Sequence, residues 1–303
     1  MRYDQTCIHT YLLSLSPLCR PRSHKLTVGL LACLLAHVRA CRTLRRIYNT
    51  PRLAHELFHN ALSSWQAIMP HPHLVSLRAV LTTRDFDDLN DLIFVYDYHP
   101  GAESLESRYF PTSHHHATAT EAVIDEQTLW SYLVQIATAV RAIHAAGRAC
   151  RMLDLSTVLI INDPSSSSAA AGNDSSSSGG GGVHRIKLNG CGLKDVLNFS
   201  SVGKKSLAEL QYEDLLAVGN ILLQLACKSH TGSRGAQEQL AYVSLHYSAE
   251  LKDVLTYLLT KGATIQGLAG SLATRTMAAL ENATEENEHM EAQLMQGNIG
   301  FRK

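Results

Sequence analysis

The chain has no C-x-x-C pair, and its seven cysteines, at positions 7, 19, 33, 41, 150, 191 and 227, form no metal-like set with histidine. Free thiols in a reducing compartment are the simplest account of them. The chain also has no net charge: 27 basic residues against 27 acidic ones leave no overall nucleic-acid footprint. Nor is there a long hydrophobic run. The one strongly apolar stretch, residues 26–38 (LTVGLLACLLAHV), is too short to span a bilayer comfortably and starts late for a signal peptide. It reads as a buried strand or helix, with an Arg-rich, acid-poor transit peptide as the alternative. A G-x-G-x-x-G sequence is absent as well, so no glycine-rich loop stands ready to cover phosphates.

What is there is a chain of 303 residues, 45% apolar, enough for one large domain or two modest ones with a real core. Its charges are unevenly placed. Residues 1–52 carry nine Arg and Lys against Asp4 alone, while residues 281–294 carry five Glu and no Lys or Arg. The basic segment reads as a solvated terminus, with an RNA-binding arm as the other reading. His114, His115 and His116 lie in one polar run, which reads as a loop tract because a metal site draws ligands from separate elements.

Periodicity places the elements. Over 52–69, Leu53, Leu57, Ala61, Trp65 and Ile68 fall at helical spacing, and Pro70 ends the helix. Leu74, Val75, Leu77, Val80 and Leu81 read as a strand, as does 92–98 (LIFVYDY), which the turn HPGAES closes. From Asp125 to Ala146 the apolar positions 129, 133, 136, 140 and 143 step by four and three, with Asp125 as N-cap and Gly147 as stop. Two short strands flank residues 164–182, a tract almost wholly of Ser, Ala and Gly that cannot order itself and is read as a disordered surface insertion. Residues 213–227 form a buried helix, and Ser248 caps another with Leu251, Val254, Leu255, Leu258 and Leu259 inward. In 271–296, Leu280, Ala283, Asn287, Met290 and Leu294 make a heptad seam flanked by Glu; coiled coil and plain surface helix both fit it. Strands first and helices later give an α+β chain of two lobes.

Five stretches then match a protein-kinase template in the right order. HPHLV follows the first helix. LIFVYDYHPGAESL is similar to the strand and hinge that hold adenine, with Gly101 relieving crowding beyond it. RACRMLDLSTVLI resembles the catalytic loop H-R-D-L-x-x-x-N, RIKLNGCGL the strand before D-F-G, and EDLLAVG the helix that opens D-x-W-S-x-G, with Asp214 and Gly219 in register. Met152 and Gly190 stand 38 positions apart, or 19 once the insertion is set aside, which agrees with kinase spacing.

The chemistry is missing. Phosphoryl transfer needs a carboxylate to orient the hydroxyl and oxygen ligands for magnesium. Met152 replaces the catalytic Asp, Thr157 the Asn, and Gly190 the metal-binding Asp, while Asp154 sits two positions past the base and faces elsewhere. No A-P-E follows Gly192, and the strand-three lysine falls on Arg45, or on Arg46 if the register slips by one. The chain reads as a pseudokinase and not as an enzyme.

LRRI, FVYDYHPGAESL with RYF downstream, AIHAAGRACRMLD, the Asn-Gly-Cys-Gly, EDLLAVGNILLQLAC and YSAELKDVLTYLLT together resemble the pseudokinase subunits of the PAN poly(A)-specific ribonuclease, from about Arg42 to Gly297. The resemblance implies a two-lobed pseudokinase fold with an incomplete N-lobe: a divergent basic N-terminus over 1–40, an N-lobe remnant over 41–98, a mainly helical C-lobe over 99–270, and a coiled-coil helix with a short tail over 271–303. It implies a cytoplasmic, non-membrane scaffold that dimerises, recruits the catalytic nuclease and meets poly(A)-binding protein and poly(A) RNA indirectly. It also implies ATP bound without hydrolysis, by Arg45, by the segment Asp97, Tyr98, His99, Pro100, Gly101, Ala102, Glu103 and Ser104, and by Ser156 with Thr157. The family's N-terminal zinc finger, its poly(A)-binding-protein motif and its C-terminal knob are expected to be missing from this chain. The readings kept beside it are a pseudokinase adaptor in an unrelated pathway and an atypical active kinase.

Overall fold

Strand β4 (Asp91–Asp97) carries Ile and Val among Phe and Tyr, side chains that suit a pleated surface covered on both faces. Leu92, Ile93, Phe94 and Tyr96 are all buried. β4 pairs antiparallel with β2 (Arg42–Ile47) on one side and β3 (Leu77–Thr83) on the other, and β1 (His9–Leu13) extends the sheet beyond β2. The order is β1-β2-β4-β3. This computed structural model describes residues 9–13, 42–47, 50, 55–83, 90–111, 123–161, 184–197, 205–228 and 235–300. The apolar stretch 26–38, the histidine run 114–116 and the Ser/Gly tract 164–182 lie outside them.

Helix α1 (His55–Gln66) lays Trp65, with no exposed surface, against the sheet and the lower lobe. The strand expected from Leu74 begins only at Leu77. Leu74 and Val75 are instead drawn to the second lobe, where Val75 N–H donates to Leu188 O at 2.9 Å and Leu188 N–H to His73 O at 2.9 Å. That small ladder joins the lobes. The turn after β4 also does more than close a strand, because Glu103–Ser104 forms β5 and Ser104 caps α2 (Leu105–Tyr109) by accepting from Ser107 N–H. β5, β6 (Val158–Ile161) and β7 (Arg185–Leu188) form a second antiparallel sheet in that order.

Helix α3 (Glu126–Ala145) is built as its pattern requires. Asp125 accepts from Thr128 N–H, Leu129, Leu133, Ile136, Val140 and Ile143 are buried, and Gly147 follows the C-cap at φ +69°. After α4 (Leu193–Leu197) comes α5 (Leu207–Cys227), which starts two turns earlier than its apolar run suggests. Ser206 and Glu209 form a reciprocal capping box that holds those polar turns. Helices α6 (Ala236–His246), α7 (Ala249–Leu259) and α8 (Ile265–Ser271) complete the lobe, with Ser248 capping α7 and also bound to the Glu126 carboxylate at the start of α3. Each leucine so buried contributes about 1.5–3 kcal/mol relative to exposure.

The last helix, α9 (Ala273–Gly300), is anchored at its root, where Arg275 lies 3.7 Å over the Trp130 ring and 2.7 Å from Glu250. Its seam then leaves the body of the protein. Leu280, Met290 and Leu294 are 67%, 53% and 69% exposed.

Candidate functional site

The catalytic-loop segment is suspended from one buried carboxylate. Asp214, 2% exposed on α5, accepts from Cys150 N–H at 2.6 Å and Arg151 N–H at 2.7 Å, and His144 Nε2 on α3 stands 2.9 Å from it. Three donors satisfy most of what a buried carboxylate requires. They also fix Arg151 at φ +60°, a left-handed conformation costly for a non-glycine residue. The frame that orients a kinase loop is therefore intact.

What that frame presents has changed. Met152 is partly buried among apolar neighbours. Asp154 turns away as expected: its carboxylate accepts from Ser156 N–H at 2.9 Å and closes a local turn. Thr157, buried, donates its hydroxyl to Met152 O at 2.6 Å and accepts from Asp154 N–H at 3.0 Å. Its side chain is spent on the shape of the loop.

The register of β2 decides between the two arginines. Arg46 is buried against Asp91, with Nε 2.7 Å and Nη2 2.5 Å from the same carboxylate oxygen. Arg45 reaches the Gly190 turn, and its Nη1 is buried without a hydrogen-bond partner. Gly190, at φ +79°, faces it: a Cβ added there would lie 2.9 Å from Arg45 Nη1 and 3.6 Å from Met152 Cε. Arg45, Met152 and Gly190 thus converge where a kinase would place lysine, base and metal ligand. Burial pushes the pKa of Arg45 below its ordinary value, opposed by Tyr96. Tyr96 donates to Cys191 O at 3.0 Å, and burial raises its own pKa. A buried cation nitrogen lacking a partner fits an anion, so the residues present fit the phosphate end of a nucleotide.

The other residues expected around a nucleotide are spread along the hinge. Asp97 chelates Arg78 through three contacts of 2.6–3.1 Å, Glu103 pairs with Arg108 at 2.5 Å, and Ser104 caps α2. His99 Nε2 is buried without a partner, and Ala102 N–H closes the turn onto His99 O. Tyr98 is half-buried and Pro100 exposed. Gly101 corrects its expected role: nothing lies within 4 Å of an added Cβ, so it relieves no crowding and glycine is favoured by φ +68° instead.

One hub had no sequence signal. Asp195 on α4 accepts from Trp65 Nε1 at 2.6 Å and pairs with Arg151 Nη1 at 3.4 Å and Arg148 Nη1 at 3.6 Å. It ties α1 to the catalytic-loop segment. Among the described residues, no group of three or more His, Cys, Asp or Glu side chains could hold a metal ion, and no helix is long and apolar enough to cross a membrane. The thiols of Cys150 and Cys191 stand 4.0 Å apart, and their mutual contact, with burial, raises the pKa of Cys150.

No family model matches the chain. The "PAN2-PAN3 deadenylation complex subunit pan3" of Dictyostelium discoideum is 35% identical over 212 residues, 69% of this chain and 24% of that protein. A solved Neurospora crassa PAN3 pseudokinase, 30% identical, superposes with a TM-score of 0.67 over 86% of this chain and 61% of that one. The chain belongs to the PAN3 pseudokinase family. Another N. crassa structure, a complex of PAN2 (WD40-CS1) with PAN3 (pseudokinase and C-term), matches at 30% identity and a TM-score of 0.70 over 84% of this chain and 58% of that one. The kinase-like PAN3 fold carries Met and Gly here at the base and metal positions. This chain spans about a quarter to two-fifths of the length of the curated PAN3 relatives it matches.

Proposed function

We propose that the chain is a non-catalytic scaffold of a poly(A)-specific deadenylase: it recruits the nuclease subunit, pairs with a second copy of itself and promotes shortening of mRNA tails in the cytoplasm. Poly(A)-binding protein and poly(A) RNA are reached through its partners. The observation that carries this reading is a kinase frame still hung on Asp214 while Met152 and Gly190 stand at the base and metal positions, in a chain of the PAN3 family. A PAN3 at 30% identity has been solved with PAN2, which supports a nuclease as the partner. ATP is the ligand of the cleft, bound without hydrolysis; it would supply an adenine for the hinge and phosphates for Arg45.

Self-association is assigned to α9. Leu280, Asn287 and Leu294 repeat at one seam position and Ala283 and Met290 at the other, and the apolar members stand in solvent in a single chain. Asn287 facing its counterpart fixes a parallel register. Two heptads are short, so the lobes contribute to holding the pair. The test is co-purification of a PAN2-type nuclease with the tagged chain, read together with sedimentation. The nuclease is expected to co-purify, and the chain to sediment as a dimer at micromolar concentration. Leu280→Glu with Leu294→Glu is expected to give a folded monomer. A wild-type monomer that captures no nuclease overturns the scaffold reading.

A further inference from the structure

We propose that Cys150 and Cys191 form a redox latch at the junction of the lobes: a hydroperoxide oxidises the pair to a disulfide, which fastens the turn gripped by the upper lobe to the loop carried by α5.

The two thiols belong to different pieces of structure. Cys150 opens the catalytic-loop segment, and its N–H donates to Asp214 of α5 at 2.6 Å. Cys191 lies in the turn after β7, 41 positions further on. Upper-lobe side chains close on that turn. Tyr96 donates to Cys191 O at 3.0 Å, and Leu77 Cδ2 and Trp65 Cδ1 each stand 3.0 Å from where a Cβ on Gly192 would lie. Trp65 of α1 also donates to Asp195 on α4 at 2.6 Å. Leu77, Trp65, Cys191, Cys150 and Asp214 are each at most 2% exposed. They make a buried column from the sheet of one lobe to α5 in the other, and within it the two sulfurs meet at 4.0 Å.

A disulfide needs its sulfurs about 2.05 Å apart, so the pair must close by roughly 2 Å. The backbone around Cys191 can supply that movement. Gly190 and Gly192 flank it at φ +79° and +86°, and glycine moves between left-handed and right-handed conformations at little cost. Cys150 is the fixed partner, because Asp214 holds its N–H and that of Arg151. Oxidation needs a thiolate, while contact with Cys191, together with burial, raises the pKa of Cys150. The closed pair is therefore slow to react, and oxidation begins when the glycine turn swings Cys191 outward. Its thiolate takes the terminal oxygen of the hydroperoxide, which leaves as an alcohol (or water) after gaining a proton, and Cys191 becomes a sulfenic acid. When the turn returns, the Cys150 sulfur attacks the sulfenic sulfur. The S–S bond forms, and the sulfenic oxygen leaves as water with the Cys150 proton. Two thiols have lost two electrons and two protons, and the hydroperoxide has gained them. A reducing thiol reverses the bond by exchange. While it lasts, Trp65, Tyr96 and Leu77 rest on a turn tied covalently to the loop that Asp214 holds.

The experiment treats the full chain with hydrogen peroxide, alkylates the remaining thiols in denaturant, and digests the product with trypsin without reductant. Cleavage after Arg148, Arg151, Lys187 and Lys194 puts Cys150 in the peptide Ala149–Arg151 and Cys191 in Leu188–Lys194. The two peptides are expected as a linked pair that dithiothreitol separates. Amide exchange over His55–Gln66 is expected to slow several-fold in the oxidised chain, because α1 then packs on a turn that no longer swings out. Cys150→Ala and Cys191→Ala should each abolish both effects, and the wild-type mapping decides the matter even if a variant fails to fold. Cys227, partly exposed, reports that peroxide has reached the folded protein. Peptides 149–151 and 188–194 recovered alkylated and unlinked while Cys227 is oxidised overturn the inference. So does a linked pair that leaves exchange in α1 unchanged, since the bond would then fasten nothing.

Discussion

Asp214 is a buried carboxylate and Arg45 a half-buried guanidinium with one buried nitrogen, and the fold treats them differently. Asp214 receives two backbone N–H groups and an imidazole. Arg45 buries Nη1 and offers it nothing. The carboxylate serves the backbone of the loop, so it is required whether or not phosphate is ever transferred. The guanidinium has no such internal acceptor for Nη1 among the described residues. A kinase frame outlives kinase chemistry for this reason: its internal charges are satisfied by its own main chain, and only the charges that faced substrate and metal were free to go.

If that contrast is right, the largest effect belongs to Asp214. Replacing it with Ala leaves two buried N–H groups and a histidine without their acceptor, and breaking such a network costs about 3–5 kcal/mol. Denaturant unfolding of Asp214→Ala should show this loss, with Asp214→Asn intermediate because an amide oxygen still accepts from one of the donors. A loss under about 1 kcal/mol for Asp214→Ala would erase the distinction, since it would place Asp214 with the surface pairs.

Asp195 tests the contrast at an intermediate position, because it is partly exposed and bonds side chains instead of backbone. Its carboxylate joins Trp65 of α1 to Arg148 and Arg151. Asp195→Ala should cost about 1–2 kcal/mol, most of it from the Trp65 bond, since the two arginine contacts are long and partly solvated. Trp65→Phe in the same background should add less than it costs alone, the mark of a shared interaction. Additive losses would mean that Trp65 is held by packing and that Asp195 is no hub.

Much of this was legible in the sequence where a pattern repeats or a motif carries spacing. The four-and-three stepping of α3, its Asp125 cap, the loop RACRMLD and Asp214 thirteen residues ahead of Cys227 all lie where the reading placed them. The first turns of α5 also carry a local signature, since Ser206-x-x-Glu209 is a capping-box pattern ahead of the apolar run. Other features had no local signal. Whether Arg45 or Arg46 reaches the Gly190 turn depends on a one-residue register, and only the pairing of Arg45 with Phe94 and Arg46 with Ile93 fixes it. β1 is a five-residue strand defined by its partner. Asp195 meets Trp65 across 130 positions. Gly101 suggests relief of crowding, yet its requirement is a dihedral angle that sequence shows only as glycine.

The smallest effect lies behind the hinge, in three histidines that extend the comparison to charges the fold discourages. His71 and His73 share the turn before β3, with ring centroids 5.9 Å apart and His73 Nδ1 3.1 Å from Ile186 O, and His99 follows β4. Burial lowers the pKa of each. His73, Lys187 and Arg141 lower His71 further, Lys187 and Arg185 act the same way on His73 and His99, and only Asp97 on His99 and the Ile186 carbonyl on His73 oppose this. A folded pKa below the unfolded value of about 6.5 means that the unfolded chain binds more protons. Their contribution to stability is therefore complete above pH ~6.5 and is lost as pH falls below it toward the folded values. Melting temperature should decline between about pH 7 and pH 5, and His73→Gln with His99→Gln should flatten that decline while leaving stability near pH 7.5 little changed. An unchanged slope in the double variant would assign the acid sensitivity elsewhere, and a melting temperature that rises on acidification would mean that these imidazoles gain a partner when charged, as Arg45 is proposed to do.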